Sequence, residues 1–172
     1  MTYPLLDVAR LLLLPGETAE ARVARNRAVS TAYYAIFSEV CALIAKTFVE
    51  PEHAAGAISE ASYQRAFRAL EQATLRKIAL KIAEGGRERS KTVPMSPAKA
   101  VQQVWASNCI ALQEARYSAD YDPFFTASLQ EAESRILQAE EALEALTKIG
   151  EAGRRQLAFD LVFTNQRPTP RS

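Results

Sequence analysis

Residues 18–49 read TAEARVARNRAVSTAYYAIFSEVCALIAKTFV, and this run predicts one long helix with Thr18 as its N-cap. Its apolar side chains recur mostly at three- and four-residue intervals, while Ile36 and Leu43 extend the apolar surface onto a neighbouring face. A helix with so broad an apolar surface has to contact several partners at once. We therefore expect this helix at the centre of a helical bundle.

Four further helices are predicted around the central one from apolar periodicity and from helix start and stop signals. They are expected over about residues 3–14, 60–83, 97–119 and, starting after Thr126 or Ser128, up to 149. Ser59 and Ser96 are predicted N-caps, and loops are expected over residues 50–58 and 85–97. The fold class is thus predicted to be all-α, an antiparallel up-and-down bundle of about five helices.

The helix ends are predicted from three dipeptides, because proline cannot continue a helix and glycine favours a C-cap. These are Pro15-Gly16, Gly85-Gly86 and Asp122-Pro123. The bundle is expected to occupy residues 1–153, followed by a C-terminal extension over 154–172. In that extension the apolar cluster 157–163 is expected to form a docking helical turn, a short strand or an oligomer contact, and the final residues RPTPRS are expected to be disordered.

The charge balance limits how the protein can meet nucleic acid. The chain has 172 residues and a formal net charge of +1, which excludes a whole-protein field that attracts phosphates. Any such binding must therefore depend on a local patch. One basic segment is either such a patch, following a phosphate backbone, or simply a solvated loop and helix end. Its basic residues are Arg76, Lys77, Lys81, Arg87, Arg89, Lys91 and Lys99.

Cysteine and histidine usage indicates no metal site and no cofactor. Cys41 and Cys109 lie in apolar helical patterns and are expected to be reduced, buried small residues. His53 is the single histidine, which argues against a histidine-based metal site, and no spacing resembles a zinc motif. No signal peptide or membrane-spanning segment is visible, so a cytoplasmic location without membrane association is expected.

A polar group interrupts the apolar face of the predicted helix 97–119. The apolar line through Trp105 and Leu112 continues, at helical spacing, onto Arg116. A guanidinium on that face needs acceptors, because an unpaired buried charge is very costly. Asp120 follows at i+4, within reach on a helix surface, and Tyr121 comes next.

The central helix carries a second polar group on a core-like face. Ser30, Tyr34 and Ser38 lie at i, i+4 and i+8, beside Tyr33 and Phe37. If this helix packs on 97–119, its hydroxyls meet the polar group at the end of that helix. The combined cluster is then either a phosphate- or nucleotide-binding site or a structural buried ion pair with a tyrosine lid, and the aromatic rings either pack the core or stack on a ligand.

Two runs together resemble one protein family. Residues 30–38, STAYYAIFS, resemble the S-R-A-Y-Y-A-x-F-H helix of the HEPN superfamily. Residues 116–123, RYSADYDP, resemble the R-x-x-A-D-Y-D-P segment found later in one bacterial and archaeal branch of it. The order and spacing agree, and the resemblance covers roughly residues 2–148.

This resemblance implies a HEPN-like bundle, commonly a homodimer, associated with RNA cleavage or nucleotide binding. Many members are toxin-antitoxin or defence components, often paired with a nucleotidyltransferase-like partner protein. Active HEPN ribonucleases carry an arginine followed after four to six residues by histidine, whereas here Arg116 is followed at that distance by Tyr121. The family's other histidine and arginine are replaced by Ser38 and Thr31.

Three functional hypotheses follow from these departures. The first is a nucleic-acid- or nucleotide-associated protein in which Ser30, Tyr33, Tyr34, Ser38, Arg116, Asp120 and Tyr121 form the ligand-binding set. The second is a non-catalytic dimeric interaction module that has lost the ribonuclease site. The third is a metal-independent ribonuclease with an unconventional base, for which Arg116, Asp120 and Tyr121 are the candidate catalytic residues. Because tyrosine is a poor general base at neutral pH, an enzyme is the less favoured reading.

Overall fold

The structure is a computed structural model that describes residues 3–49, 60–90 and 96–164. These three segments contain seven α-helices and no strand. The helices are α1 (Pro4–Leu11), α2 (Ala19–Val49), α3 (Glu60–Phe67), α4 (Gln72–Ser90), α5 (Pro97–Tyr121), α6 (Leu129–Lys148) and α7 (Glu151–Phe163). The all-α prediction is confirmed, and the predicted number of about five helices is too low.

Two predicted boundaries account for the extra helices. The single helix expected over 60–83 is α3 and α4, separated by a break at 68–71 that turns Leu70 into the core. The predicted helix end at Gly85-Gly86 is wrong, because α4 continues to Ser90. A C-cap glycine needs a positive φ, and among the described glycines only Gly16 has one, at 90°. Part of the predicted 85–97 loop is therefore helical.

The apolar cluster at 157–163 belongs to α7, a helix of 13 residues. Leu157, Ala158 and Leu161 are buried in the main core, and α7 packs against α2 and α4. Of the three predicted forms, the helical docking segment is the one observed, and it is longer than a single turn. The predicted loop 50–58 with His53, the cap Ser59 and the RPTPRS tail lie outside the described residues.

Local sequence signals fix several helix starts as predicted. The Thr18 hydroxyl accepts a hydrogen bond from the Ala21 backbone N–H at 3.2 Å, and the Ser128 hydroxyl accepts one from Glu131 at 3.1 Å. Ser96 is the extended N-cap residue of α5, which begins at Pro97, but its side chain makes no capping hydrogen bond. Proline is favoured there because the first helical N–H has no intrahelical partner.

Helix α2 is the centre of the bundle, in agreement with its broad apolar surface. It packs against α1, α3, α5, α6 and α7. By length and hydropathy alone α2 could cross a membrane, but 61% of its most apolar window is buried within the protein. Helix packing therefore accounts for its apolarity. The largest fully buried side chains include Trp105, Tyr33, Leu6, Ile36, Ile44, Leu75, Leu112 and Leu143.

Arg25, a buried arginine of α2 that the sequence did not single out, holds the α1–α2 and α5–α6 connections against α2. Arg25 is 1% exposed; its Nε donates to the Ala127 carbonyl at 2.8 Å and its Nη1 to those of Gly16 at 2.6 Å and Leu14 at 3.2 Å. The neighbouring Asn26 accepts a hydrogen bond from the Ala127 N–H at 2.9 Å and donates to the Phe125 carbonyl at 3.1 Å. The connection 122–128 after α5 is thus fixed by side chains from α2.

Both cysteines are buried free thiols, as expected. Burial raises the pKa of Cys41 to about 11 and also raises the pKa of Cys109. The thiolate is the reactive form, so at pH 8 we expect native protein to react with Ellman's reagent at least about 100-fold more slowly than protein in urea. Fast labelling of either thiol in the native state would contradict this burial.

Candidate functional site

The site is built around Arg116, about one and a half turns from the end of α5. Its side chain is directed towards α2 and α4, and the residue is 7% exposed. The Nη2 group donates to the Tyr34 hydroxyl oxygen at 3.2 Å and to Gln72 Oε1 at 2.7 Å. The guanidinium at the end of α5 therefore does meet a hydroxyl from α2, as the sequence pattern predicts.

Asp120 connects this guanidinium to the N-terminal half of α2. Its Oδ2 lies 3.2 Å from Arg116 Nε, an ion pair whose angle lies outside hydrogen-bond geometry. Its Oδ1 accepts a hydrogen bond from Ser30 Oγ at 2.6 Å and lies 3.4 Å from Arg27 Nη1. One carboxylate thus orients two arginines and accepts a serine hydroxyl, which fixes α5 to α2 at this end of the bundle.

Three tyrosine rings surround the Arg116 guanidinium. Its Cζ lies 5.7 Å from the Tyr33 ring centroid, 5.6 Å from that of Tyr34 and 5.4 Å from that of Tyr121. These distances allow cation–π attraction. Tyr33 is fully buried, whereas Tyr34 is 37% exposed and Tyr121 62% exposed. Tyr33 is therefore a core residue, while the other two form an outer cover.

Burial and hydrogen bonding act in opposite directions on the charged groups of this cluster. Burial by itself would lower the pKa of Arg116, but the hydrogen bond with Tyr34 and the nearby Tyr121 and Asp120 raise it above its ordinary value. The guanidinium stays charged. Burial raises the pKa of Tyr33, whose hydroxyl has no hydrogen-bond partner in the described chain, and the Arg116 charge offsets part of this increase. Tyr33 is consequently a neutral phenol at any physiological pH.

An open groove of about 780 Å³ lies beside the guanidinium, between α4 and α5. Its described lining residues are Gln72, Ala73, Arg76, Gln113, Glu114, Arg116, Tyr117, Ser118 and Tyr121. The charged ones are two arginines and one glutamate, and Arg76 Nη2 lies 2.7 Å from Glu114 Oε1. The Tyr117 and Tyr121 rings are 5.1 Å apart and mostly exposed. The groove therefore combines a positive end with an aromatic wall.

The structure brings together six of the seven predicted site residues. Ser30, Tyr33, Tyr34, Arg116, Asp120 and Tyr121 form one connected cluster. Ser38, two turns along α2 from Ser30, is half-buried and makes no hydrogen bond to any residue that the structure describes. The i, i+4, i+8 spacing aligns Ser30, Tyr34 and Ser38 on one face of α2, but Asp120 and Arg116 contact only Ser30 and Tyr34.

Two contributors to the cluster were missed by the sequence reading. Gln72 and Arg27 contact Arg116 and Asp120 respectively, yet neither lies in a conspicuous motif. Gln72 begins α4 after the unpredicted break at 68–71, so its position depended on a boundary that periodicity did not show. Arg76 is the one residue of the predicted basic segment among the described lining residues of the groove. For the other basic residues of the segment that the structure describes, this favours the interpretation as a solvated surface.

No family model, no curated protein and no solved structure matches this chain. Within residues 3–49, 60–90 and 96–164, no group of three or more His, Cys, Asp or Glu side chains could hold a metal ion.

Proposed function

We propose that the chain is a HEPN-like protein that binds a nucleotide unit, free or within RNA, in the α4–α5 groove, and that it binds without cleaving. The observation that carries this proposal is the position of Arg116. Its guanidinium is held by Tyr34, Gln72 and Asp120 at the edge of an open groove with an aromatic wall. A fixed guanidinium is suited to phosphate, and exposed rings are suited to bases.

The donor groups of Arg116 support binding of an outside anion. Nη1 makes no hydrogen bond to any described residue and, unlike Nε, is not sealed from solvent. An arginine whose other groups are already fixed loses little side-chain entropy when it binds a phosphate oxygen. The described lining carries a net charge of one, from Arg76, Arg116 and Glu114, which is enough for one phosphate and too little for a long backbone.

The chemistry of the cluster favours binding over cleavage. Phosphodiester cleavage needs a group that takes a proton near neutral pH, and the family's histidine position holds Tyr121. A phenol has a pKa near 10 and is a weak base at that pH. Asp120 already accepts from Ser30 and pairs with two arginines, so its role is to orient them.

The aromatic wall provides the test of this function. Tyr121→Ala should weaken the binding of a short single-stranded RNA or of a mononucleotide about tenfold, because stacking on one ring contributes about 1–3 kcal/mol per base. Phe159→Ala, which removes a similarly exposed ring from α7, is the matched control and should leave the affinity unchanged. Fluorescence anisotropy with labelled RNA, in competition with unlabelled nucleotide, measures both. Unchanged affinity in Tyr121→Ala would contradict the proposal.

A second candidate function is a non-catalytic interaction module, and one observation favours it. Arg116 is 7% exposed and most of its donors already face protein groups, as expected of a structural ion pair. Absence of any nucleotide or RNA binding would support this candidate. RNA cleavage by the wild type that disappears in Arg116→Ala would instead support a ribonuclease with an unconventional base.

The same family resemblance supports a proposal about the cellular setting. A HEPN-like chain of this kind would act as a cytoplasmic homodimer in a stress, defence or toxin-antitoxin system, with a nucleotidyltransferase-like partner protein. The exposed rings Tyr117, Tyr121 and Phe124, the last 93% exposed, form an apolar surface next to the cluster. Sedimentation velocity of the purified chain, alone and with such a partner, tests this assembly.

A further inference from the structure

The first two residues of α4, Gln72 and Ala73, line the groove and have backbone N–H groups without a partner in the described segments. Leu75 N–H donates to the Glu71 carbonyl, so Glu71 is the last residue before the helix, and the amides of Gln72 and Ala73 have no intrahelical partner. The N–H groups of Gln72 and Ala73 make no hydrogen bond to any residue in the described segments, and the Glu71 side chain does not cap them. Both residues line the groove, and Ala73 is exposed. The helix dipole adds partial positive charge here.

Arg116 supplies an independent second observation at the same place. Its side chain is about nine-tenths buried, with 9% exposed, yet Nη1 makes no hydrogen bond to a described residue and is not sealed from solvent. Nη2 of the same guanidinium lies 2.7 Å from the side-chain oxygen of Gln72, the first residue of α4. Among the described residues, a donor of a buried cation without a hydrogen-bond partner therefore lies close to the uncapped first amides of α4. Arg76, one turn further along α4, also lines the groove, where its Nη2 pairs with Glu114 Oε1 at 2.7 Å, so the net positive charge of the described lining is one.

We propose that this convergence is a site for a terminal phosphate, a phosphomonoester at the end of a nucleotide or RNA strand. This inference rests on the proposed function and specifies its ligand. A phosphomonoester presents three acceptor oxygens and a charge between about −1.5 and −2 at pH 7. An internal phosphodiester presents two free oxygens and one charge. Two amides, Nη1 of Arg116 and the donors of Arg76 that do not pair with Glu114 match the terminal group better.

The geometry also orders the rest of the ligand along the groove. The groove extends from Ala73 and Arg76 on α4 to Tyr117 and Tyr121 on α5. A nucleotide with its phosphate at the α4 end therefore has its base directed towards the tyrosines. The volume of about 780 Å³ exceeds what a phosphate alone needs and accommodates a nucleoside.

Ala73 allows a test in which loss of folding cannot imitate loss of binding. Ala73→Glu places a carboxylate in the first turn of α4, where it stabilises the helix but repels a phosphate. Ala73→Gln has the same size without the charge, and Ala73→Lys reverses it. The ligands are an RNA hexamer with a 5′-phosphate, the same hexamer with a 3′-phosphate, the unphosphorylated hexamer, and inorganic phosphate. Affinity is measured by anisotropy competition, and thermal unfolding of each variant is followed by circular dichroism.

The expected result is that one phosphorylated hexamer binds about tenfold more tightly than the unphosphorylated one, as charge-assisted hydrogen bonds to a fixed site should produce. Ala73→Glu should abolish this difference while the melting temperature is kept or raised. Ala73→Gln should keep the difference and Ala73→Lys should increase it. Inorganic phosphate should shift the amide resonances of Gln72 and Ala73 in the wild type and not in Ala73→Glu.

The failure of this inference and that of the proposed function give different results. Equal affinity for all three hexamers, with all weakened by Tyr121→Ala, would overturn the terminal-phosphate site and leave nucleotide binding in place. A phosphate preference that is the same in every Ala73 variant would also overturn the site. Amide shifts with inorganic phosphate that Ala73→Glu removes, without binding of any RNA, would support the anion site and contradict the nucleotide function.

Discussion

Replacing Arg25 by alanine is expected to lower the free energy of unfolding by about 3 kcal/mol or more, because the change leaves buried carbonyls without a donor. The Arg25 guanidinium donates to the carbonyls of Leu14, Gly16 and Ala127 in a site that is almost fully closed. Each hydrogen bond to a charged group contributes about 1.5–3 kcal/mol, and the truncation also leaves a cavity. Urea unfolding followed by circular dichroism measures the loss.

Arg22 provides the matched control for this experiment. It lies on the same helix, about one turn earlier, and its half-exposed side chain pairs with Glu17 at 3.7 Å. An exposed ion pair contributes at most about 1 kcal/mol, so Arg22→Ala should change stability little. Arg25→Lys should fall between the two, because an ammonium cannot reach three carbonyls in the directions of a guanidinium. Equal stability of Arg25→Ala and Arg22→Ala would contradict a structural role for Arg25.

The contrast between Arg25 and Arg116 shows what the sequence could reveal. Arg116 was predictable because it continues an apolar line, with Asp120 one turn on, and the structure places both as expected. Arg25 lies on the same helix as the predicted hydroxyls and is even more buried, but apart from the exposed Glu17 carboxylate its partners are backbone carbonyls of two loops. Every residue has such a carbonyl, so no side-chain pattern identifies them in advance.

The helix boundaries show the same limit. The long apolar run of α2 and the caps Thr18 and Ser128 were readable, because periodicity and capping are local properties. The break at 68–71 depends on burial of Leu70, a tertiary effect. The continuation of α4 through Gly85 shows that glycine permits a helix end without requiring one. The free amides of Gln72 and Ala73 became visible only once that break was known.

Replacing Arg116 by alanine is expected to reduce the affinity for a phosphorylated nucleotide about 100-fold and to lower stability by about 2–3 kcal/mol. The binding loss follows from removal of the fixed donor beside the α4 amides. The stability loss follows because Asp120, 13% exposed in its side chain, keeps Ser30 and Arg27 but loses its most buried cation. Anisotropy titration and urea unfolding of the same preparations measure the two effects separately.

A double-mutant cycle with Asp120→Asn separates structure from ligand binding. If the two side chains act as one ion pair in folding, their stability effects should be non-additive by about 1–3 kcal/mol. Affinity should behave differently, because Asp120 orients Arg116 without touching the phosphate. Asp120→Asn alone should therefore weaken binding much less than Arg116→Ala, and Arg116→Lys should retain charge but lose most of the affinity. Suppose that Arg116→Ala is destabilised yet binds nucleotide as tightly as the wild type. The guanidinium would then serve only to join α5 to α2, and the amides and rings would have to hold the ligand without it.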